Sequence, residues 1–414
     1  MLQLFGDSIA SVRGFSLLLS SLTGVLLFSL AKHYSNLVGG LVAWVFFTFS
    51  TSHFLFGSEA RAYPLFMLEF MLLLWSWIKL QESPRQLFWW VIHTSAALAL
   101  LYTHYIGTIP LAVSGLISLL FGFNKTFKIR LLASYAVIVL LWLPLLIPAW
   151  PVIAHRGENS LHQIPEFSFF KYLLVNVWNG QWAYTLFMSC FLACLPLLFF
   201  VEKTQRKQLA YLASMALATY VSLYLGSQWV WFFDENYALF TSLPVLLFFG
   251  AFAGKGLKQI PVITTLILLG LLWPFLRNFN PQPKHMLYRE VQNSIKTINQ
   301  LRTANEPVFL FPPFTEFAYL YYANRKAFNS PYHELELALF EDKHFKFENS
   351  GEILPRLKDE TTFILYLDCY TGTNPIGPLP PGFRVRDSIL VPEVYLVLYC
   401  ETDPNYRPTN TNDK

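Results

Sequence analysis

The sequence predicts an α-helical polytopic membrane protein with a small α/β domain at its carboxyl end, and three observations carry that prediction. The first is composition: of 414 residues, 54% are hydrophobic, 17% aromatic and only 14% charged, against about a quarter charged in ordinary soluble domains. The second is a succession of ten apolar runs, each near the roughly 20 residues that cross a bilayer. The third is an uneven spread of charge. Residues 1–277 hold 16 Lys and Arg with 9 Asp and Glu, whereas residues 278–414 hold 14 and 17 in half the length. The division is therefore a transmembrane domain over 1–277 and an extracytoplasmic α/β domain over 278–414.

The candidate spans run over residues 14–31, 37–56, 64–80, 88–106, 107–121, 131–150, 185–201, 209–226, 238–254 and 260–276. If the loops between them alternate sides, one set carries Lys32, Lys79, Arg85, Lys125, Lys128, Arg130, Lys203, Arg206, Lys207, Lys255 and Lys258. The opposite set carries only Arg13, Arg61, Arg156, Lys171 and the boundary residue Arg277. Short loops rich in Lys and Arg stay in the cytoplasm. The chain is thus expected to be multi-pass in the inner (plasma) membrane, with its carboxyl-terminal domain and Met1 outside. Met1–Arg13 has neither the basic start nor the apolar core of a signal peptide, so a further helix upstream is expected.

In the tail, Tyr288–Leu301 reads as an amphipathic helix and Thr315–Tyr322 as a second one. Val308–Phe311, Thr362–Tyr366 and Glu393–Tyr399 read as strands. Pro375, Pro378, Pro380 and Pro381 mark an exposed loop. Four cysteines are too few for a disulfide framework; Cys369 and Cys400 follow two of the strands and can pair in an oxidising space. The net charge of +4 combines +7 in the membrane part with −3 in the tail, which excludes a nucleic-acid footprint.

Charge placed against the preference of the bilayer marks function. Gly57-Ser58-Glu59-Ala60-Arg61-Ala62-Tyr63-Pro64 joins the second and third spans. A carboxylate and a guanidinium two residues apart can bind a divalent ion and a phosphate together, or merely close the turn as a local pair. Tyr102-Thr103-His104-Tyr105 ends the fourth span; its histidine can donate to phosphate, ligate a metal, or anchor the chain at the interface. Asp234-Glu235-Asn236-Tyr237 precedes the ninth span, where the acids suit a metal or simple solvation beside Trp229 and Trp231. Glu69, about two turns past Tyr63, is an ionisable group within a span and has no partner identifiable from sequence. No nucleotide-sugar Asp-x-Asp, dinucleotide fingerprint or P-loop is present.

Glu59-Ala60-Arg61-Ala62-Tyr63 after an apolar span, then Thr103-His104-Tyr105, resembles the Glu-Ala-Arg-Pro-Tyr and Thr-His-Tyr pattern of bacterial GT-C glycosyltransferases. The nearest likeness is to the Rgt-like branch, related to protein O-mannosyltransferases and to the 4-amino-arabinose transferase of lipid A. It extends over nearly the whole chain, from Leu4-Phe5-Gly6 and Arg13 through Tyr237–Pro244 to Tyr321-Tyr322. The resemblance implies a GT-C membrane enzyme that moves a hexosyl or pentosyl group from a polyprenyl-phosphate donor to an envelope glycan, lipid or protein acceptor on the outer face. It implies Arg61, His104, Tyr63 and Tyr105 as donor-phosphate contacts, and Glu59 as the carboxylate that orients Arg61 or a divalent ion, with Asp234 and Glu235 as further metal candidates.

In that family the presumed catalytic base lies in the first outer loop. The chain begins near the end of the corresponding loop, so it is expected to lack the first helix and first outer loop, with Asp7 as the acid standing in. Asn236 occupies the place of the family's Arg before Tyr237. Two other classes fit ten spans: a lipid or glycan flippase or transporter, and a non-catalytic subunit of an envelope-polysaccharide complex that binds through Tyr319, Tyr321, Tyr322 and Tyr332. The absence of an internal repeat and of matched broken helices weighs against the transporter.

Overall fold

The structure, a computed structural model, describes residues 9–59, 61–121, 125–154, 175, 177–197, 203–228, 238–259, 261–280, 287–303, 306–311, 319, 323, 343–346, 353–357, 360–368, 379–391 and 395–405. Asp7, Asp234–Tyr237, Tyr321, Tyr322, Tyr332 and Cys369 lie outside them. The chain forms two compact units, Met1–Gln282 and Pro283–Lys414.

The first unit is helical. Its elements are α1 (Ile9–Tyr34), α2 (Leu37–Thr48), α3 (Thr51–Gly57), α4 (Tyr63–Glu82), α5 (Leu87–Thr103), a 3₁₀ turn (Tyr105–Gly107), α6 (Thr108–Phe121), α7 (Lys125–Ala154), α8 (Gln181–Leu197), α9 (Lys203–Ser227), a second 3₁₀ turn (Leu239–Thr241), α10 (Ser242–Gln259) and α11 (Pro261–Arg277). Among the described residues, five helices are long and apolar enough to cross a membrane, or six when the bent pair α2–α3 is taken as one span. Shorter apolar helices at Leu87–Thr103, Tyr105–Leu120, Gln181–Leu195 and Pro261–Arg277 occupy the four remaining expected positions.

Burial separates the middle of this unit from its rim. The Leu239–Gly256 stretch is 94% buried, whereas Lys125–Pro151 is only 17% buried. Leu87, Leu120, Trp182, Val262 and Trp273 are each more than two-thirds exposed. In water such surface costs about 25 cal/mol per Å²; against lipid tails it costs nothing, which is how a membrane protein is solvated. The central crossing of α2 and α10 is made by glycines. A Cβ on Gly39 would collide with the Gly250 carbonyl, and one on Gly250 with the Gly39 carbonyl. Close backbone approach through small residues is how helices pack without a hydrophobic drive between them, and Asn36 secures it by donating from Nδ2 to the Gly254 carbonyl at 2.6 Å.

The second span is not one helix. It breaks between Thr48 and Thr51 and turns by 69° into α3. The break strands backbone groups in an apolar setting, and a distant segment satisfies them. Asn179 Oδ1 accepts from the Thr51 N–H at 2.7 Å, and its Nδ2 donates to the Phe49 and Phe275 carbonyls at 2.7 and 3.0 Å. Ser50 Oγ donates to the Val177 carbonyl at 3.0 Å. Asn179 adopts φ 60°, a left-handed conformation that Asn tolerates better than most side chains.

The second unit holds α12 (Leu287–Leu301), β1 (Val308–Phe311), β2 (His344–Lys346), α13 (Leu354–Leu357), β3 (Thr362–Asp368), β4 (Phe383–Val391) and β5 (Tyr395–Thr402). The five strands are ordered β2-β1-β3-β5-β4, with β1 parallel to both neighbours and β5 antiparallel to both of its own. Alternation along β3 sends Ile364 and Tyr366 toward Val291, Ile295 and Ile298 of α12, and Phe363, Leu365 and Leu367 to the opposite face with Ile353 and Leu357. Glu306 is buried but fully engaged: Thr362 and Tyr399 hydroxyls donate to Oε1 at 2.5 and 2.6 Å, and the Thr303 N–H donates to Oε2 at 2.8 Å.

Several expectations are corrected here. Cys400 is a buried free thiol, and burial pushes it up to about 12, so it is neither bridged nor reactive. Tyr319 is buried and its hydroxyl pairs with His344 Nε2 at 2.9 Å, so it packs the sheet and does not present a ring to a partner. Strand β4 escapes the sequence reading because Arg384, Arg386 and Asp387 interrupt any apolar run; it is an exposed edge strand, where charge is tolerated and useful.

Candidate active site

The first candidate segment hangs between α3 and α4. Helix α3 ends at Gly57 with Ser58 as its cap, and Pro64 in the first turn of α4 restarts the helix, a position where proline loses no hydrogen bond. In the loop so formed, Arg61 Nε lies 3.5 Å from Glu59 Oε2. The Arg61 side chain is 59% exposed and that of Glu59 30%. A pair this open adds at most about 1 kcal/mol to stability. Tyr63 is half-buried, its ring 6.1 Å from that of Phe56 in an edge contact.

The second segment follows α5. The helix stops at Thr103, and His104 turns to extended backbone at φ −158° and ψ 136°. Its Nδ1 then accepts the N–H of Ile106 at 3.2 Å, capping the 3₁₀ turn. A nitrogen that accepts carries no proton in the neutral ring, so the local backbone makes Nε2 the donor. The ring lies against Tyr105, centroids 4.5 Å apart, and Phe66 of α4 at 6.3 Å.

Glu69 has a partner after all. It is buried in α4, and Thr103 Oγ1 donates to its Oε1 at 2.8 Å. Its Oε2 has no hydrogen-bond partner. The structure therefore joins Glu59 to Arg61 and Glu69 to the Thr103-His104-Tyr105 turn, with α4 common to both groups. Asp7, Asp234, Glu235 and Tyr237 fall outside the described residues, and among those described no three His, Cys, Asp or Glu gather to hold a metal ion.

Two residues that the sequence reading passed over stand close to this framework. His53 in α3 is buried, 2.6 Å from Ser242 Oγ through Nε2. Ser242 spends its own proton on the Leu239 carbonyl at 2.6 Å, so His53 Nε2 is the donor in that contact. Asn179 is the other, at the break that redirects the chain toward Glu59. The available signal was Ser50-Thr51-Ser52-His53, four polar residues in an otherwise apolar run.

The fold is that of a polytopic helical membrane protein. Residues 1–151 match the family described as dolichyl-phosphate-mannose-protein mannosyltransferase. Two crystal structures of ArnT from Cupriavidus metallidurans are similar in fold at 11% sequence identity, each match covering 96% of this chain and 85% of that chain. The apo state aligns with a TM-score of 0.56, and the form bound to undecaprenyl phosphate with 0.57. No curated protein matches the sequence. The family match covers little more than the first third of the chain, and the likeness to ArnT is one of fold.

Proposed function

We propose that the chain is a membrane glycosyltransferase that takes a sugar from a polyprenyl-phosphate carrier and gives it to an envelope glycan, lipid or protein on the outer face of the plasma membrane. The observation that carries this reading is the exposed Arg61 guanidinium in the loop before α4, within the segment that matches the family. The ArnT form bound to undecaprenyl phosphate supports the carrier class.

In the reaction, the oxygen of an acceptor hydroxyl attacks the anomeric carbon of the sugar. The bond from that carbon to the carrier phosphate breaks, the phosphate leaves with the electron pair, and the acceptor proton passes to a base. Negative charge grows on the phosphate oxygens, and Arg61 answers it with a planar fork of donors. Glu59 holds the guanidinium in place from 3.5 Å, and His104 presents Nε2–H as a second donor. The eleven cationic residues of the opposite loops stay in the cytoplasm, which leaves this site and the Pro283–Lys414 unit outside.

Purified full-length protein in proteoliposomes with a polyprenyl-phosphate sugar and a crude envelope acceptor tests the reading. Transfer of labelled sugar is expected, and Arg61→Ala should cut it about 100-fold with an unchanged melting temperature. Carrier-lipid movement without a new glycosidic bond, or full turnover by Arg61→Ala, contradicts it.

A further inference from the structure

Helices α4 and α5 are tied by two polar clips, one buried and one half-buried. In one, Ser76 Oγ lies 3.1 Å from His93 Nδ1; because Ser76 donates its proton to the Leu73 carbonyl at 2.8 Å, His93 donates across the pair. The other is Thr103 to Glu69 at the end of α5. The first clip already sets the register of the two helices. The second uses a carboxyl where a serine would serve, and a charged carboxyl buried within a membrane unit costs several kcal/mol unless it is paired. What lies immediately beyond Thr103 is His104, at the point where the helical hydrogen bonding ends and the ring's direction depends on where Thr103 is held.

We propose that Glu69 and Thr103 are positioning residues: the buried carboxyl pins the last side chain of α5 to α4, and thereby aims His104 Nε2–H at the donor phosphate. This rests on the reading of the site given above. The clip acts through Thr103 on the turn, so its loss weakens phosphate binding as well as the fold.

The test titrates a polyprenyl phosphate into the full-length protein in detergent, alongside thermal melting. Thr103→Val keeps shape and removes the hydroxyl; affinity is expected to fall about tenfold, with a lower melting temperature because Glu69 loses its donor, and Thr103→Ser to restore both. Glu69→Leu should weaken binding by a similar factor, and Glu69→Leu with Thr103→Val no further than either alone. Ser76→Ala, which leaves His93 unpaired, should lower the melting temperature but not the affinity. Wild-type affinity in Thr103→Val, or equal losses of affinity in Ser76→Ala and Thr103→Val, overturns the proposal while Arg61→Ala still reports on the site. A wild-type protein that binds no polyprenyl phosphate overturns both readings.

Discussion

At the scale of single residues, hydrogen bonding decides what each group can do. His104 is the clearest instance, because its Nδ1 is committed to the Ile106 N–H. A substitution can separate that local duty from the proposed contact with phosphate. In His104→Asn, the amide oxygen takes the place of Nδ1 and still caps the turn, while the donor at the ε position is gone. Transfer is expected to fall at least about tenfold with melting unchanged; if His104→Asn turns over as wild type, the histidine serves the turn alone. Glu306 makes the same point in the second unit. Burial opposes its charge, but donors from Thr362, Tyr399 and Thr303 together outweigh that and hold the carboxyl below its ordinary value of 4.5. A lowered value means that the charged form stabilises the fold above the unfolded value, and that this contribution fades as pH falls through the folded one. Glu306→Gln is therefore expected to loosen β3 and β5 by about 1–3 kcal/mol at neutral pH, read as faster amide hydrogen exchange in the full-length protein. The gap to wild type should narrow as pH falls below 4.5 and through the lower folded value; a gap independent of pH refutes the assignment.

At the scale of elements, the broken second span shows why some of the fold was legible and some was not. Span positions were readable because a bilayer demands long apolar runs, and the ten expected segments all recur as helices. The break was not, because hydropathy averaged over 37–56 conceals four polar residues. Its cause lies about 130 positions away in Asn179, a tertiary partner that no local pattern announces. Edge strand β4 was missed for the opposite reason, since its exposed arginines resemble a loop. Of the candidate site, Arg61 and His104 were visible as ionisable residues at the ends of spans, whereas the Glu69 link to Thr103 needed two helices side by side. The break also yields a prediction. Asn179→Asp loses both N–H donors and sets a carboxylate against two carbonyls, so a fall in stability of about 3 kcal/mol or more is expected. Gln181→Ala, two residues on and exposed, should be neutral in the same melting assay; equal melting of the two variants contradicts the keystone role of Asn179.

At the scale of the whole molecule, orientation is the property that makes the proposed chemistry possible, because a polyprenyl-phosphate sugar on the outer leaflet can be reached only from that side. The expected orientation comes from charge asymmetry: every short loop of one set carries Lys or Arg, eleven in all, while the opposite set holds Arg61 with Arg13, Arg156, Lys171 and Arg277. Among the described cysteines, Cys194 and Cys400 are buried and Cys190 is half-buried in α8, and the labelling uses a Cys369→Ser background. Arg85 lies in the exposed turn between α4 and α5, and Ser388 is exposed on β4, so each accepts a cysteine without disturbing packing. In intact cells a membrane-impermeant maleimide is expected to label Ser388→Cys and spare Arg85→Cys, with both labelled after permeabilisation. The reverse pattern would put Arg61 and His104 on the cytoplasmic side, where the donor would have to be presented from the inner leaflet, and the outer-face reaction would then be wrong even if sugar transfer itself were observed.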